Sequence, residues 1–224
     1  MTDLVQALLW LTVWLTLWLG AWVLIGAVLF RLLLPVLASC LYLLGLTLLS
    51  GRPRRPPAAP PRLRLDIIVP AHDEAALIGR TVASLLAVDW PADLRRVCVV
   101  ADNCTDDTAE RARAAGAVVW ARDDPSLRGK GHALAHGFEA SRREAWADAV
   151  LVVDADSTVS ANLLRACADR LERGAQVVQV HHGVLNAQDS WRTRLMAIAL
   201  EAFHRVRSRG RERLGLSCGL RGNG

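Results

Sequence analysis

The stretch LDIIVPAHDEAALIGRTVASLL, residues 65–86, decides the fold. Residues 65–69 form a short apolar run rich in β-branched side chains, the composition of a buried strand. Over residues 75–86, Leu77, Ile78, Val82, Leu85 and Leu86 recur at helical spacing and share one face. A buried strand running straight into an amphipathic helix is half of a β-α-β unit, and the pattern then repeats. Further strands are expected at 96–101 (RVCVVA), 117–120, 149–153 (AVLVV) and 176–180. The helices between them fall at 106–115 with Thr105 as N-cap, at 131–146, and at 161–173, capped by Ser160 and stopped at Gly174. A longer helix, basic on one side, covers 190–207. Alternation of this kind predicts an α/β domain with a doubly wound, mostly parallel sheet. Such sheets bind ligands in the crevice beyond the carboxyl ends of their strands. The segments that follow strands are therefore the ones to watch: PAHDE at 70–74, DNCTD at 102–106 and DAD at 154–156.

Upstream of this domain, residues 4–49 are apolar except for Gln6, a few small residues, Arg31 and Pro35. A helix of that length is roughly twice what a ~30 Å bilayer core needs. Two short spans turning near Arg31 and Pro35 are the preferred expectation. One tilted span with an interfacial helix is the other. Arg52, Arg54, Arg55, Arg62 and Arg64 follow at once and place that side in the cytoplasm by the positive-inside rule. A cleaved signal peptide fits poorly, because no basic region precedes the run and the run is too long. Trp10, Trp14, Trp18 and Trp22 make a stripe on one helix face, which suits lipid or helix contact. The organisation expected is a transmembrane segment or segments over 1–50, an Arg/Pro-rich stiff linker over 51–64 and a catalytic domain over 65–224.

The five cysteines, at 40, 98, 104, 167 and 218, show no CxxC pair, so neither a disulfide framework nor a zinc site is indicated; buried reduced thiols are expected. The net charge of +5 in 224 residues comes mostly from arginines beside the apolar run and between Arg192 and Arg213. A basic face next to an anionic leaflet accounts for it. No aromatic-basic motif accompanies the charge, so no nucleic acid partner is expected.

Among candidate chemical groups, VVDADS at 152–157 is the strongest. In an extended chain, carboxylates at i and i+2 lie on the same side. Two such carboxylates repel unless a cation sits with them, and oxygen ligands suit Mg²⁺ or Mn²⁺. The plain alternative is an acidic turn whose aspartate caps the next helix. Asp102 follows the second strand in the same way and is suited to a base or ribose; an Asx-turn is its plain alternative. Asp106 and Asp107 read as first-turn helix acids, and Asp73 and Glu74 admit the same reading. Lys130 lies between two glycines, close enough to approach a phosphate, although the P-loop pattern is absent. The six histidines show no metal-ligand spacing.

Taken together, VPAHDE (69–74), ADNCTDDT (101–108), RGKGHAL (128–134), VVDADS and LRGNG (220–224) occur in an order and spacing that resemble the bacterial family 2 glycosyltransferases of GT-A fold. The nearest in type are the membrane-bound polysaccharide and glycolipid synthases. The resemblance spans 65–224. It implies that Pro70, Ala71 and Glu74 line the nucleotide pocket and that Asp102 contacts the base, expected to be uracil. It also places Lys130 near the phosphates, Asp154 on the nucleotide-sugar and Asp156 on a divalent metal, Mg²⁺ or Mn²⁺. Asp73 departs from the pattern, where relatives often carry Asn. The implied reaction is an inverting transfer from a nucleotide-sugar, UDP-linked, to a glycan, glycolipid or lipid acceptor at the cytoplasmic face of the inner (plasma) membrane. The acceptor-activating acid of the family is not matched, so the general base is expected beyond Gly224 in a longer protein. A nucleotide-sugar-binding fragment or membrane scaffold without transferase activity is the alternative.

Overall fold

The computed structural model describes residues 2–51 and 60–220, without the side chains of 2–4. The expected linker therefore lies largely outside the described residues, as do Arg52, Arg54 and Arg55 and most of the LRGNG motif. The chain divides into two compact units: residues 1–51 with 201–217, and residues 52–200 with 218–224. The domain expected over 65–224 thus contributes its residues 201–217 to the N-terminal unit.

The N-terminal unit is built on one helix, α1 (Thr2–Ser50), which runs through Pro35 without a turn. The break expected at Arg31 and Pro35 is absent. Apolar side chains give the backbone no rival hydrogen-bond partners, so the helical ladder continues, and Pro35 removes only one donor from it. Nearly all its apolar side chains are exposed, and by length and composition the helix suffices to cross a membrane. The tryptophan stripe forms as expected: Trp14 stacks on Trp18 at 6.4 Å and Trp18 meets Trp22 edge-on at 5.7 Å. A π-helical turn (Glu201–Val206) leads into the Arg-rich helix α7 (Arg207–Arg213), which lies against the end of α1. Gly210 makes the contact possible, since a Cβ there would sit 2.4 Å from the carbonyl oxygen of Leu46. Leu46 is buried by this approach. Arg211 donates to the Tyr42 hydroxyl at 2.7 Å, and Arg213 donates to the carbonyl of Leu49. The last carbonyls of a helix have no partner within it, and arginine satisfies that need here.

The second unit is a parallel sheet in the order β3-β2-β1-β4. The strands are β1 (Leu65–Ala71), β2 (Arg95–Asp102), β3 (Val118–Arg122) and β4 (Ala149–Val152). β1 is central and buried at every position. Because strand side chains alternate between faces, Ile67, Val69, Val97 and Val99 point one way, onto α2 (Ile78–Leu86), α3 (Thr108–Ala114) and α5 (Leu163–Glu172). Ile68 and Val100 point the other way, onto α4 (Lys130–Glu144). Gly137 lets α4 settle on the sheet: a Cβ there would lie 2.9 Å from methyls of both Ile68 and Val100. Buried Asp66 ties the layers together. It accepts from Nε and Nη2 of Arg96, each at 2.8 Å, and from the Ser141 hydroxyl at 2.5 Å, and Arg96 also stacks over Trp146 at 4.4 Å.

Four sequence expectations need correction in this unit, one of them the cap of α5, where Asn162 stands in place of Ser160 and no side chain accepts the first amides. Residues 176–180 belong to no strand, and Val177 is 64% exposed. Helix α2 begins at Ile78 rather than Ala75, because Glu74 accepts from the amides of Leu77 and Ile78 in a preceding turn. Helix α3 begins at Thr108, and the side chain that accepts its first N–H is Asp106, not Thr105. Of the cysteines, only Cys98 and Cys167 are buried, with burial raising their thiols to about 12 and about 11. Helix α6 (Trp191–Leu200) carries the start of the expected basic helix, with Trp191 and Leu195 exposed.

Candidate functional site

After β1 the chain proceeds outward through β2 and β3, then returns to place β4 on the other side of β1. This reversal leaves a crevice at the carboxyl ends of β1 and β4, the position where open parallel sheets bind ligands. A cavity of about 540 Å³ lies there. All seven residues singled out from sequence line it: Pro70 and Ala71 at the end of β1, Glu74 in the loop after it, Asp102 at the end of β2, Lys130 at the start of α4, and Asp154 and Asp156 after β4. His72, Asn103, Arg128 and Gly129 line it as well.

The carboxylates differ in their surroundings. Asp154 pairs with the ammonium of Lys130. Asp156 is exposed, and none of the described residues donates to its carboxylate. β4 ends at Val152, so both aspartates stand in the turn that follows and not on an extended strand. The same-side argument from strand geometry therefore does not apply; the turn, closed by Ser157 N–H on the Asp154 carbonyl at 3.1 Å, brings both to the cavity. Thr81 anchors this turn from α2 by donating to the Ala155 carbonyl at 2.6 Å.

Asp102 is buried and its Oδ1 accepts from Arg122 at 2.5 Å and from the Asn103 amide at 3.1 Å. Its carbonyl is 2.7 Å from Nδ1 of His72. Arg122 sits opposite Asp102 in the β2-β3 register. That register is invisible in a linear reading, and so Arg122 escaped it.

Asp73 adopts a left-handed backbone at φ 53°. Its carboxylate accepts the Thr105 N–H at 2.6 Å, the Thr105 hydroxyl at 3.1 Å and the Asp106 N–H at 3.3 Å. The Thr105 amide is the main cause that lowers its pKa below the ordinary carboxylate value. Asp106 in turn accepts from the Thr108 N–H at 3.0 Å and the Ala75 N–H at 3.2 Å. These two acids thus staple the loop after β1 to the loop after β2. Asp73, Cys104 and Asp106 bring potential metal-ligand atoms within 4.8 Å of one another. Two of those three are already committed to backbone amides, so this cluster is accounted for by loop stapling. The Asp156 carboxylate accepts from none of the described residues, and carboxylate oxygens are the ligands that hard divalent cations take.

Gly129, at φ 114°, opens α4 at the cavity with Arg128 and Lys130 beside it. Two cationic side chains and the positive end of a helix dipole converge there, an arrangement suited to phosphate.

Comparison with known proteins is consistent with this geometry. The sequence profile of the family described as "Glycosyltransferase like family 2" matches residues 60–221. Cellulose synthase 1 catalytic subunit [UDP-forming] of Komagataeibacter xylinus is 34% identical over 93 residues, which is 41% of this chain and 12% of that protein. Glycosyltransferase AglD of Haloferax volcanii is 33% identical over 134 residues, 55% of this chain and 21% of that one. Among solved structures, the mannosyltransferase PcManGT from Pyrobaculum calidifontis, in complex with GDP-Man and Mn²⁺, aligns with a TM-score of 0.50 and 25% identity over 69% of this chain and 45% of that chain. The chain therefore spans less than half the length of each of these proteins. The GT-A-type, Rossmann-like parallel sheet expected from sequence is the fold observed.

Proposed function

Because this chain belongs to the family described as Glycosyltransferase like family 2, we propose that it forms the donor-binding side of an inverting glycosyltransferase. The donor is a nucleotide-sugar, a UDP-sugar, and the acceptor a glycan, glycolipid or lipid. The observation that carries the reading is the cavity that gathers Asp102 from the end of β2, Lys130 from the start of α4, and Asp154 and Asp156 from the turn after β4.

In this reading Asp102 receives the base, while Pro70, Ala71 and Glu74 wall the nucleotide. Lys130 holds Asp154 before the donor arrives and turns to the diphosphate when it binds. Arg128 and the start of α4 add positive potential at the same place. Asp156 would hold Mg²⁺ or Mn²⁺, which when bound supplies Lewis-acid stabilisation of the departing diphosphate. Inversion follows from one displacement at the anomeric carbon by an acceptor hydroxyl, whose proton goes to a base.

Helix α1 would anchor the chain in the inner membrane. The arginines that follow it, together with those of α7, would hold the cavity-bearing unit on the cytoplasmic side. Nucleotide-sugars are cytosolic, so donor and site would meet there.

The test is a calorimetric titration of UDP into the full chain in detergent, with and without Mn²⁺, beside Asp156→Ala. Binding is expected to strengthen at least about tenfold with Mn²⁺, and Asp156→Ala to remove that gain. A folded chain that binds no UDP under either condition would overturn the reading.

A further inference from the structure

Asp102 has two carboxylate oxygens, and the structure uses them unequally. Oδ1 is taken by Arg122 at 2.5 Å and by the Asn103 amide at 3.1 Å. Oδ2 accepts from none of the described residues, and Asp102 lines the cavity.

The residues that impose this are themselves fixed. Arg122 is 11% exposed and its second nitrogen reaches Asp124 at 3.3 Å. The Asn103 N–H donates to the Arg122 carbonyl at 2.7 Å, and the Asp124 N–H donates to Asn103 Oδ1 at 2.7 Å. That last bond settles the orientation of the Asn103 amide, with its oxygen toward Asp124 and its nitrogen toward Asp102. An amide nitrogen carries two protons, of which Asp102 takes one.

We infer that Arg122 and Asn103 set the base selectivity of the donor site by closing one of the two acceptor positions of Asp102. This rests on the donor-site reading above and goes beyond it. What remains for a base is one acceptor, Asp102 Oδ2, beside one donor, the second Asn103 proton. Uracil offers the complement: a single N3–H flanked by carbonyls. Guanine offers two adjacent donors, N1–H and N2–H, which call for both oxygens of a free carboxylate. In this site one of them would be left unpaired away from water, and an unmade hydrogen bond of that kind is costly. Arg122 is thus a positioning residue, acting on the base through Asp102.

The experiment compares UDP and GDP affinities, with Mn²⁺ present, for the full chain in detergent and for Arg122→Ala and Arg122→Lys. The wild type is expected to prefer UDP by at least about tenfold. Arg122→Ala, which leaves only the Asn103 amide on Oδ1 and so opens one of its two acceptor places, should shift the UDP:GDP ratio toward GDP by about tenfold or more, while Arg122→Lys, which restores a cationic donor to that place, should hold the wild-type ratio. A merely structural role would weaken both nucleotides alike and leave the ratio in place. Should Arg122→Ala not fold, Asn103→Ala carries the comparison: it opens the other acceptor place on Oδ1 and should likewise move the UDP:GDP ratio toward GDP. Equal affinity of the wild type for UDP and GDP, or a folded Arg122→Ala with the wild-type ratio, would overturn the inference while leaving a nucleotide site in place. Binding of neither nucleotide by the wild type would overturn the donor-site reading and this inference with it.

Discussion

Asp73 shows how a single carboxylate joins two loops of the site. Its oxygens hold the amides of Thr105 and Asp106, and those bonds exist in full only with the ionised form. Folding lowers its pKa below the ordinary 3.8. The stabilisation is therefore complete above that value and is lost as pH falls through the lower folded one. Asp73→Asn keeps one acceptor but loses the charge and the second oxygen. In thermal melts it should unfold below the wild type at and above about pH 5, and the gap should close as the pH drops under the ordinary carboxylate value. A gap that persisted at low pH would deny the charge a role. At this scale Asp102, Lys130, Asp154 and Asp156 were legible, because acids at strand ends and a lysine between glycines are marked by position alone. Arg122, Asn103 and the stapling role of Asp73 were not. They depend on strand register and on left-handed backbone at Asp73 and Asn103, which the order of residue types does not encode.

Among the elements, the contact of α4 with β1 and β2 is where packing and site meet, since α4 carries Lys130 at its first position. Gly137 is the point of closest approach. Gly137→Ala would improve intrinsic helix propensity, yet its methyl meets two β-branched side chains that are themselves buried on the sheet. Overpacking should win, destabilising the chain by about 1–3 kcal/mol in detergent melts and weakening UDP binding as α4 tilts off the cavity. A variant as stable as the wild type would mean that Ile68 and Val100 yield without cost. The four strands of the sheet and the helices between them were readable from apolar pattern, because strands buried on both faces read as short continuous apolar runs and the helices as stripes of period 3.6. Residues 176–180 carry the same apolar pattern and still form no strand. A ladder requires a neighbour as well as a propensity, and composition cannot report whether a neighbour is there.

For the molecule as a whole, α1 poses a problem of length. Its 46-residue apolar stretch, Val5–Ser50, would extend roughly 70 Å as an unbroken helix, against a hydrocarbon core of ~30 Å. Ordinary tilts of up to ~40° do not absorb that difference. Single cysteines placed along 5–50 in a Cys40→Ser background should show one window of about 20 residues shielded from an aqueous thiol reagent. Two shielded windows separated by reactive positions at 31–35 would mean instead that the helix breaks there in a bilayer. Sequence made the long apolar helix plain, because nothing else in this chain is so long and so apolar. It did not show that α7 returns to the end of this helix, since that contact hangs on one glycine far downstream. Leu49 and Arg213, which meet there, stand 164 residues apart. On a ribosome adding ~5–20 residues per second, they emerge about 8–30 s apart. The carbonyls at the end of α1 are made first and must wait for their arginine until every strand has left the tunnel. The clasp is thus a late seal on biosynthesis, and a nascent chain stalled before residue 213 can form the long helix but not close its end.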